Sequence, residues 1–315
     1  MPVTTVDPSA PERPATESLA RRAGLVAGVT ITLITLVALS LRTSGPLTPL
    51  KAIVLGAVEG FTEYLPVSST GHLLVTQRLL GLGEGDATAA ADTYAIAIQI
   101  GAIVAVVVLY WRRLGQLASG VIGRDVDGRR LLGRLVIAFV PAAVVGLLLG
   151  DSIKDRLFGP WPVVAAWLVG GVFLVWWHPR PGRLDLTALT VRHATIIGAA
   201  QILALWPGMS RSLVTIAAAL ALGASMSAAV EFSFLLGLAT LSAATLYDLA
   251  KNGQTLLADY GWRTPLLGGL VAFITAVVAV RWMVSFLHTH PLWIFGWYRI
   301  GIAVTVAGLI GIGAI

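Results

Sequence analysis

KAIVLGAVEGFTEYLPVSSTGHLLVTQRLLGL, residues 51–82, is an apolar segment that Pro66 and a run of hydroxyl side chains interrupt near its middle. Residues 194–223 form a second such segment, broken at Pro207. The halves on either side of each break have only about 12–16 residues, whereas a helix needs about 20 residues to cross a bilayer. Each segment is therefore predicted to fold as a re-entrant helical hairpin, which enters and leaves the membrane on one side.

The composition of the chain places it in a membrane. Of its 315 residues, 57% are hydrophobic and 12% are charged, against roughly 25% charged residues in soluble domains. Long unbroken apolar runs favour helices over the alternating segments of a transmembrane barrel. The sequence has no cysteine, which excludes disulfides, thiolate zinc sites and cysteine nucleophiles. We therefore predict an all-α polytopic membrane protein.

Seven apolar runs outside the two hairpins have the length of spanning helices. The first, residues 23–41, is predicted to be an extra N-terminal transmembrane helix, with a signal peptide as the alternative. Residues 1–22 before it are polar and without periodicity, and are predicted to be a disordered cytoplasmic tail. The other spans are predicted at about 94–111, 131–150, 161–178, 230–248, 265–287 and 293–315.

The charges of the loops predict the orientation. Arginines cluster in the 112–130 and 179–193 loops, which are predicted to be cytoplasmic, and the acidic 83–93 loop is predicted to lie outside. The first hairpin then enters from outside and the second from inside. Because membrane orientation explains most of the arginines, the net charge of +6 is not taken as a sign of nucleic-acid binding.

The two breaks also resemble each other in sequence. Pro66–Gly71 corresponds to Pro207–Ser212 at an offset of 141 residues. Hairpins that enter from opposite sides would form an inverted repeat, whose broken helices meet near the membrane midplane. Chance similarity is the alternative, because the matching stretch is short.

Two acidic residues precede the first break. Glu59 and Glu63 are four residues apart, which puts both carboxylates on one face of the first half-helix. Two like charges at membrane depth require a cation or a proton to offset them. The pair is predicted to bind a divalent metal, with Mg²⁺ or Ca²⁺ favoured by oxygen ligands, or to act as a general acid and base. A solvated interfacial helix face is the alternative.

Hydroxyl side chains and helix N-termini at the breaks suit the oxygen atoms of a phosphate. The second half-helix begins after Pro66, so its free N–H groups face the break. Ser69 is the candidate nucleophile, since His72 three residues later can lie on the same face. Plain helix capping by the serines, and a His72 satisfied by a backbone carbonyl, are the alternatives. The predicted phosphate contacts are Ser68, Thr70, Gly71, Ser210, Ser212 and Thr215.

Arg211 is the charged residue of the second break. An arginine within the membrane needs a cavity and a partner, and its planar fork matches two phosphate oxygens. A structural ion pair with Glu59 or Glu63 is the alternative. Other polar residues in apolar runs brace the hairpins or extend to the interface: Gln99, Gln201, Glu231, Arg134 and Arg281.

The first motif, Val58–Leu73, resembles the signature of bacterial undecaprenyl-diphosphate phosphatases of the bacitracin-resistance type. Gln201–Ser212 is similar to the second signature of that family, and the stretches Ile98–Gly101 and Glu231–Leu236 are similar to further parts of it. The resemblance covers residues 48–315, which would form the membrane-embedded phosphatase domain.

The resemblance implies removal of the terminal phosphate from undecaprenyl diphosphate, which recycles the lipid carrier of cell-wall synthesis and confers bacitracin resistance. It also implies a bacterial plasma-membrane location and an active site open to the outer side. Glu59 and Glu63 would be the acidic pair with the divalent cation, and Arg211 would bind phosphate. Ser69 would be a catalytic hydroxyl and His72 a further site residue. The sequence departs from the family pattern at Leu213, where glycine is usual, and keeps the usual threonine as Thr215.

The predicted function is therefore hydrolysis of a polyprenyl diphosphate lipid. A lipid-phosphate flippase is the alternative, since inverted repeats with broken helices are a transporter architecture, and a scaffold that only sequesters the lipid is a third. Whether Ser69 attacks phosphorus or positions a water stays open. So does the oligomeric state, with a homodimer as one alternative.

Overall fold

The computed structural model describes residues 47–82, 87–178 and 182–315. Within these residues the chain is helical, and the β-type pairing is limited to an isolated bridge between Leu184 and Ala224. The all-α prediction is confirmed. The predicted tail at 1–22 and the predicted span at 23–41 lie outside the described residues.

Eleven α-helices follow one another along the described ranges, and two short 3₁₀ helices stand between α6 and α8. The α-helices are α1 Pro49–Thr62, α2 Ser69–Leu79, α3 Ala87–Leu109, α4 Trp111–Val121, α5 Val126–Leu157, α6 Pro160–Trp176, α7 Val191–Gln201, α8 Arg211–Ala221, α9 Met226–Tyr260, α10 Arg263–Thr289 and α11 Ile294–Gly311. The 3₁₀ helices are Leu186–Ala188 and Ile202–Leu205.

Five of the described helices are long and apolar enough to cross a membrane. These helices are α3, α5, α9, α10 and α11, and they agree with five of the predicted spans. The sixth prediction, 161–178, corresponds to α6, which is apolar but has 17 residues. The outer surface is apolar as well, with Leu147 and Leu148 of α5 72% and 76% exposed. Such surface requires lipid contact, and the chain is a polytopic membrane protein.

Both predicted hairpins are present as pairs of short helices around a break. The first break separates α1 from α2, and these two helices pack against each other. The second separates α7 and its 3₁₀ extension from α8, which pack together in the same way. Even with the 3₁₀ extension of α7, no member of a pair exceeds 15 residues, which is too short to span a bilayer alone.

Close helix packing fixes the position of the first hairpin. Gly56 and Gly60 of α1 face α10, and a Cβ at either would overlap a backbone oxygen, of Gly268 or of Ala272. Small residues at such crossings let helix backbones approach closely in membranes. Since α1 ends beside Glu63, the crossing with α10 also positions the acidic residues of the break.

Candidate active site at the helix breaks

Both breaks end in a serine with the same unusual backbone. Ser68 has φ +74° and Ser210 has φ +75°, a region that costs free energy for residues other than glycine. Each serine caps the following helix, with its Oγ accepting from the amide of Gly71 at 3.4 Å or of Leu213 at 3.3 Å. The shared geometry confirms that the breaks are related beyond their sequence.

The structural correspondence of the breaks shifts by one residue. Pro207 follows Pro66 by 141 residues, whereas Ser210 follows Ser68 by 142. Gly208, with φ +96°, accommodates the additional residue. The first residues of the two second half-helices are therefore equivalent, and these are Ser69 in α2 and Arg211 in α8.

These two residues meet on one carboxylate. Glu63, directly after α1, accepts a hydrogen bond from Ser69 Oγ on its Oε2 atom. Its Oε1 atom accepts from Arg211 Nη2 at 3.2 Å. Glu63 thus joins the hydroxyl of one break to the guanidinium of the other in a buried environment. The ion pair that the sequence left open between Arg211 and Glu59 or Glu63 is formed with Glu63.

The Arg211 guanidinium has further contacts besides Glu63. Arg211 Nη1 donates to the Ser233 carbonyl at 3.0 Å, and the guanidinium lies 5.7 Å from the ring centroid of Tyr64. Its Nε atom has no hydrogen-bond partner among the described residues. The two contacts fix the guanidinium, which still carries N–H groups that no described residue accepts from.

Glu59 lies deeper than Glu63 and lacks a donor. Its side chain is fully buried, and in the described part of the chain neither carboxylate oxygen has a hydrogen-bond partner. The Glu63 carboxylate and the Arg211 guanidinium both act on it electrostatically. A carboxylate with two unsatisfied oxygens beside a second carboxylate fits a hard divalent cation. The described residues contain no group of three acidic or histidine side chains, so water or substrate oxygens would have to complete the coordination.

His72 is held by groups other than Ser69. Its Nδ1 donates to the Ser68 carbonyl at 2.6 Å, and its Nε2 accepts from the Tyr298 hydroxyl at 2.8 Å. The ring also stacks on Tyr298 and meets the edge of Trp167. These contacts match the alternative prediction for His72, in which a backbone carbonyl accepts a hydrogen bond from its ring. It fixes the backbone of the break, and the catalytic role of His72 stays a prediction.

The remaining predicted phosphate contacts divide into two groups. Ser212 Oγ donates to the Leu65 carbonyl at 2.8 Å, and Thr215 Oγ1 lies 2.8 Å from the Arg211 carbonyl and 2.7 Å from Ser233 Oγ. Ser212 thus joins the second break to the first, whereas Thr215 joins α8 to α9. Gly71 packs under Trp167, where a Cβ would come 2.7 Å from the ring. The other three, Ser68, Thr70 and Ser210, line the cavity described next.

A cavity of about 570 Å³ opens at the breaks. Its polar end includes Glu63, Ser69 and Arg211, and both Gln99 and Gln201 also line it. The other walls come mainly from α5 and α9 and are largely apolar or small, among them Phe139, Ala142, Gly146, Leu241 and Ala244, with Tyr247 and Asp248 as polar members. One compartment thus offers both charged groups and an apolar wall that suits a hydrocarbon.

Comparison with known proteins assigns the chain to a family. The family model of the bacitracin resistance protein BacA matches residues 52–305. The chain belongs to the BacA family. It is 45% identical over 265 residues to the undecaprenyl-diphosphatase of Sorangium cellulosum, covering 82% of this chain and 85% of the relative. It is 41% identical over 269 residues to that of Nitrobacter hamburgensis, covering 84% and 97%, and 43% identical over 260 residues to undecaprenyl-diphosphatase 1 of Chromobacterium violaceum, covering 82% and 94%.

Arg299 is a residue of this BacA chain that the sequence did not single out. It is fully buried in α11 and donates to the carbonyls of Gly208 at 2.8 Å, Ala166 at 2.9 Å and Pro66 at 3.4 Å. It therefore links the backbones of both breaks. Its position within the last apolar run could have indicated a structural or functional role, because a charged side chain at membrane depth needs partners.

Glu231, a polar residue that the sequence indicated in an apolar run, lies outside the BacA cavity. Glu231 of α9 accepts from Arg113 Nε at 2.6 Å, and Arg113 also donates to Gln116. This contact joins α9 to α4, and neither residue lines the cavity. Glu231 is thus a partner in an ion pair rather than a member of the Glu63 group.

Substituting Gly237 is expected to disable the BacA site. A Cβ added to Gly237 in α9 would collide with Nη1 of Arg211, so Gly237→Ala should displace the guanidinium from Glu63. We expect phosphate release by the purified protein to fall about 10²-fold, since a shift of about 1 Å costs that much. Gly253→Ala in the same helix is the matched control, because its Cβ meets only Leu249 Cβ at 4.0 Å. Equal activities of the two variants would contradict the assigned packing.

Proposed function

We propose that the protein hydrolyses undecaprenyl diphosphate, or a related polyprenyl diphosphate, to the lipid monophosphate and inorganic phosphate. The observation that carries the proposal is the bridge by Glu63, which holds the Ser69 hydroxyl and the Arg211 guanidinium together. Membership in the BacA family supports the same reaction. Product release would recycle the lipid carrier of cell-wall synthesis and confer resistance to bacitracin.

The cavity suits the two parts of this substrate. The diphosphate would occupy the polar end, where Arg211 and the N-terminus of α2 offer positive charge and free N–H groups. The isoprenoid chain would lie between α5 and α9, whose small side chains leave room along the apolar walls. Burial of the phosphates away from bulk water strengthens each of these contacts.

The residues of the breaks divide the reaction between them. Arg211 binds the terminal phosphate and offsets the charge that develops on its oxygens. Ser69 attacks the terminal phosphorus, or positions the water that does, and Glu63 accepts the proton of the attacking hydroxyl. The bond from phosphorus to the bridging oxygen breaks, and the lipid monophosphate leaves with that oxygen. When water attacks, the terminal phosphate is released directly as inorganic phosphate. When Ser69 attacks, a water then hydrolyses the phosphoserine, which releases inorganic phosphate and restores the serine hydroxyl. Ser68 and Ser210 hold the half-helix N-termini toward the phosphate.

A divalent cation, Mg²⁺ or Ca²⁺, is proposed to bind at Glu59 and Glu63. The unpartnered oxygens of buried Glu59 support this site, because an isolated buried carboxylate is costly without a counter-charge. When bound, the cation would neutralise phosphate charge. A chelator should therefore abolish phosphate release, and added Mg²⁺ or Ca²⁺ should restore it. Full activity in excess chelator would remove the cation from the proposal.

The membrane arrangement is proposed from the loop charges. We infer a plasma-membrane protein of a bacterial cell with a cytoplasmic N-terminus and a cavity that opens to the outer side. The arginine-rich connection between α4 and α5, with Arg124, Arg129 and Arg130, supports a cytoplasmic position of those ends. Asp92 in the first part of α3 interacts electrostatically with Asp248 in the second half of α9, and Asp248 lines the cavity.

Phosphate release from purified protein tests the proposed function. The protein in detergent is given a polyprenyl diphosphate and Mg²⁺, and inorganic phosphate is measured over time. We expect release that depends on protein concentration and yields one phosphate per lipid. Binding without release would indicate a sequestering scaffold. Movement of the lipid across vesicle membranes without release would indicate a flippase, and either result would overturn the proposal.

A further inference from the structure

Gln201 is a buried side chain whose amide has no partner. It is the last residue of α7 and is 2% exposed. Neither its Oε1 nor its Nε2 atom has a hydrogen-bond partner among the described residues, although the side chain lines the cavity that Glu63 and Arg211 share. The other cavity glutamine differs, because Gln99 Oε1 accepts from Thr245 Oγ1 at 3.4 Å.

The lack of partners argues against a purely structural role. A glutamine that braces two helices donates or accepts hydrogen bonds within the protein, and a buried amide without them destabilises the fold. Such a group persists where a ligand completes its hydrogen bonds, and native proteins tolerate this cost at functional sites. The amide N–H groups are donors, and the oxygen atoms of a phosphate are acceptors.

The position of Gln201 indicates which phosphate it would meet. The short 3₁₀ helix that directly follows it, Ile202–Leu205, contributes Ala204 and Leu205 to the apolar part of the cavity. Gln201 thus lines the same cavity as Glu63 and Arg211 and directly precedes a segment of its apolar wall. In a lipid diphosphate, the phosphate retained by the lipid lies between the terminal phosphate and the isoprenoid, so a donor next to the apolar wall is placed to meet that phosphate.

We propose that Gln201 binds the proximal phosphate of the lipid diphosphate, the one that stays on the lipid after hydrolysis. This proposal rests on the proposed function and assigns the second phosphate of the same substrate. A neutral amide suits this task, since it orients the proximal phosphate without drawing the terminal phosphate away from Arg211. The subsite would hold the lipid monophosphate product as well as the diphosphate, whereas inorganic phosphate would occupy only the Arg211 end.

Gln201→Met tests the subsite, because methionine has a similar shape and no donor. The proposal expects KM for the polyprenyl diphosphate to rise roughly tenfold, the loss of about one hydrogen bond to a charged group. The inhibition constant of the lipid monophosphate product should rise by a similar factor. The inhibition constant of inorganic phosphate, which occupies the Arg211 end, should stay unchanged. Thermal stability should be equal or higher, since a costly unpaired amide is removed.

Arg211→Lys is the matched comparison within the site. It should weaken inhibition by inorganic phosphate more than inhibition by the lipid monophosphate, which is the reverse of Gln201→Met. An unchanged KM in Gln201→Met, or an equal weakening of both inhibitors, would overturn the proximal-phosphate assignment. So would a lower thermal midpoint with both constants unchanged, which indicates a structural role.

A binding measurement separates this proposal from the proposed function. The affinity of the wild-type protein for a polyprenyl monophosphate is measured in detergent by calorimetry, without turnover, and compared with that of Gln201→Met. Weaker binding by the variant would support the subsite even if the wild-type protein released no phosphate. Equal affinities would overturn the subsite even if hydrolysis were robust.

Discussion

Glu63→Gln is expected to lower kcat for phosphate release about 10³-fold, within the range for loss of a general base together with an electrostatic contact. The carboxylate accepts one hydrogen bond on each oxygen, from Ser69 and from Arg211. The side-chain amide of glutamine has one oxygen and one N–H₂ group, so its N–H₂ group would face either the Ser69 hydroxyl or the Arg211 guanidinium. Two donors would then face each other, and that hydrogen bond would be replaced by repulsion. The proton acceptor for the attacking hydroxyl is lost at the same time. Initial rates with a polyprenyl diphosphate measure the effect.

Glu231→Gln is the control for this variant. It removes the same charge from a glutamate that is also paired with an arginine, Arg113, but outside the cavity. We expect its activity to stay within about threefold of the wild type, since partly exposed ion pairs contribute little. Comparable losses in the two variants would show that charge removal itself disables the protein, and the bridging role of Glu63 would then be rejected.

Arg299→Met is expected to lower both stability and activity. The variant removes the donor that two carbonyls in the breaks share, those of Pro66 and Gly208. Each buried carbonyl left without a donor costs roughly 1–3 kcal/mol, and the breaks lose their common anchor. We expect kcat to fall about 10²-fold because the half-helix N-termini shift relative to each other. Thermal unfolding and initial rates measure the two effects.

Two further variants define what Arg299 contributes. Arg299→Lys keeps the charge but offers a single nitrogen, so it should restore stability in part and activity incompletely. Arg281→Met in α10 removes an exposed arginine from a neighbouring spanning helix and should leave both properties near wild type. A stable, fully active Arg299→Met protein would show that the breaks hold their positions without the guanidinium.

The breaks themselves were predictable because their signals are local. A proline followed by hydroxyl residues interrupts each apolar run, and the i,i+4 spacing of Glu59 and Glu63 places both acids on one face. The all-α membrane class followed from the high hydrophobic fraction and from the length of the apolar runs, and neither depends on tertiary contacts. Arg211 was found because a guanidinium in an apolar run is rare.

The partners of these residues were less predictable, since they come from distant parts of the chain. Helical spacing suggested that His72 would face Ser69, but its ring nitrogens bond Ser68 and Tyr298, and Tyr298 is 226 residues away. Ser69 turns instead to Glu63 across the break. The positive φ of Ser68 redirects the start of α2, and no spacing rule for a continuous helix describes that change.

Arg299 and Gln201 illustrate two further limits of sequence reasoning. The role of Arg299 depends on three carbonyls from separate segments, which only the assembled fold brings together. Gln201 was expected to brace a hairpin or to extend to the interface. The structure instead places it in the wall of the cavity, with a buried amide that has no partner among the described residues. Both outcomes depend on tertiary packing, while hydrophobic pattern and residue spacing report on single helices.

A double-mutant cycle between Glu63 and Arg211 tests most directly whether the two breaks form one active site. Phosphate release from a polyprenyl diphosphate is measured for the wild type, Glu63→Gln, Arg211→Ala and the double variant. Residues that act as a unit show strongly non-additive losses, so the double variant should be about as slow as the slower single variant. Losses that multiply, to roughly the product of the single effects, would mean independent contributions and would contradict a site formed where the breaks meet.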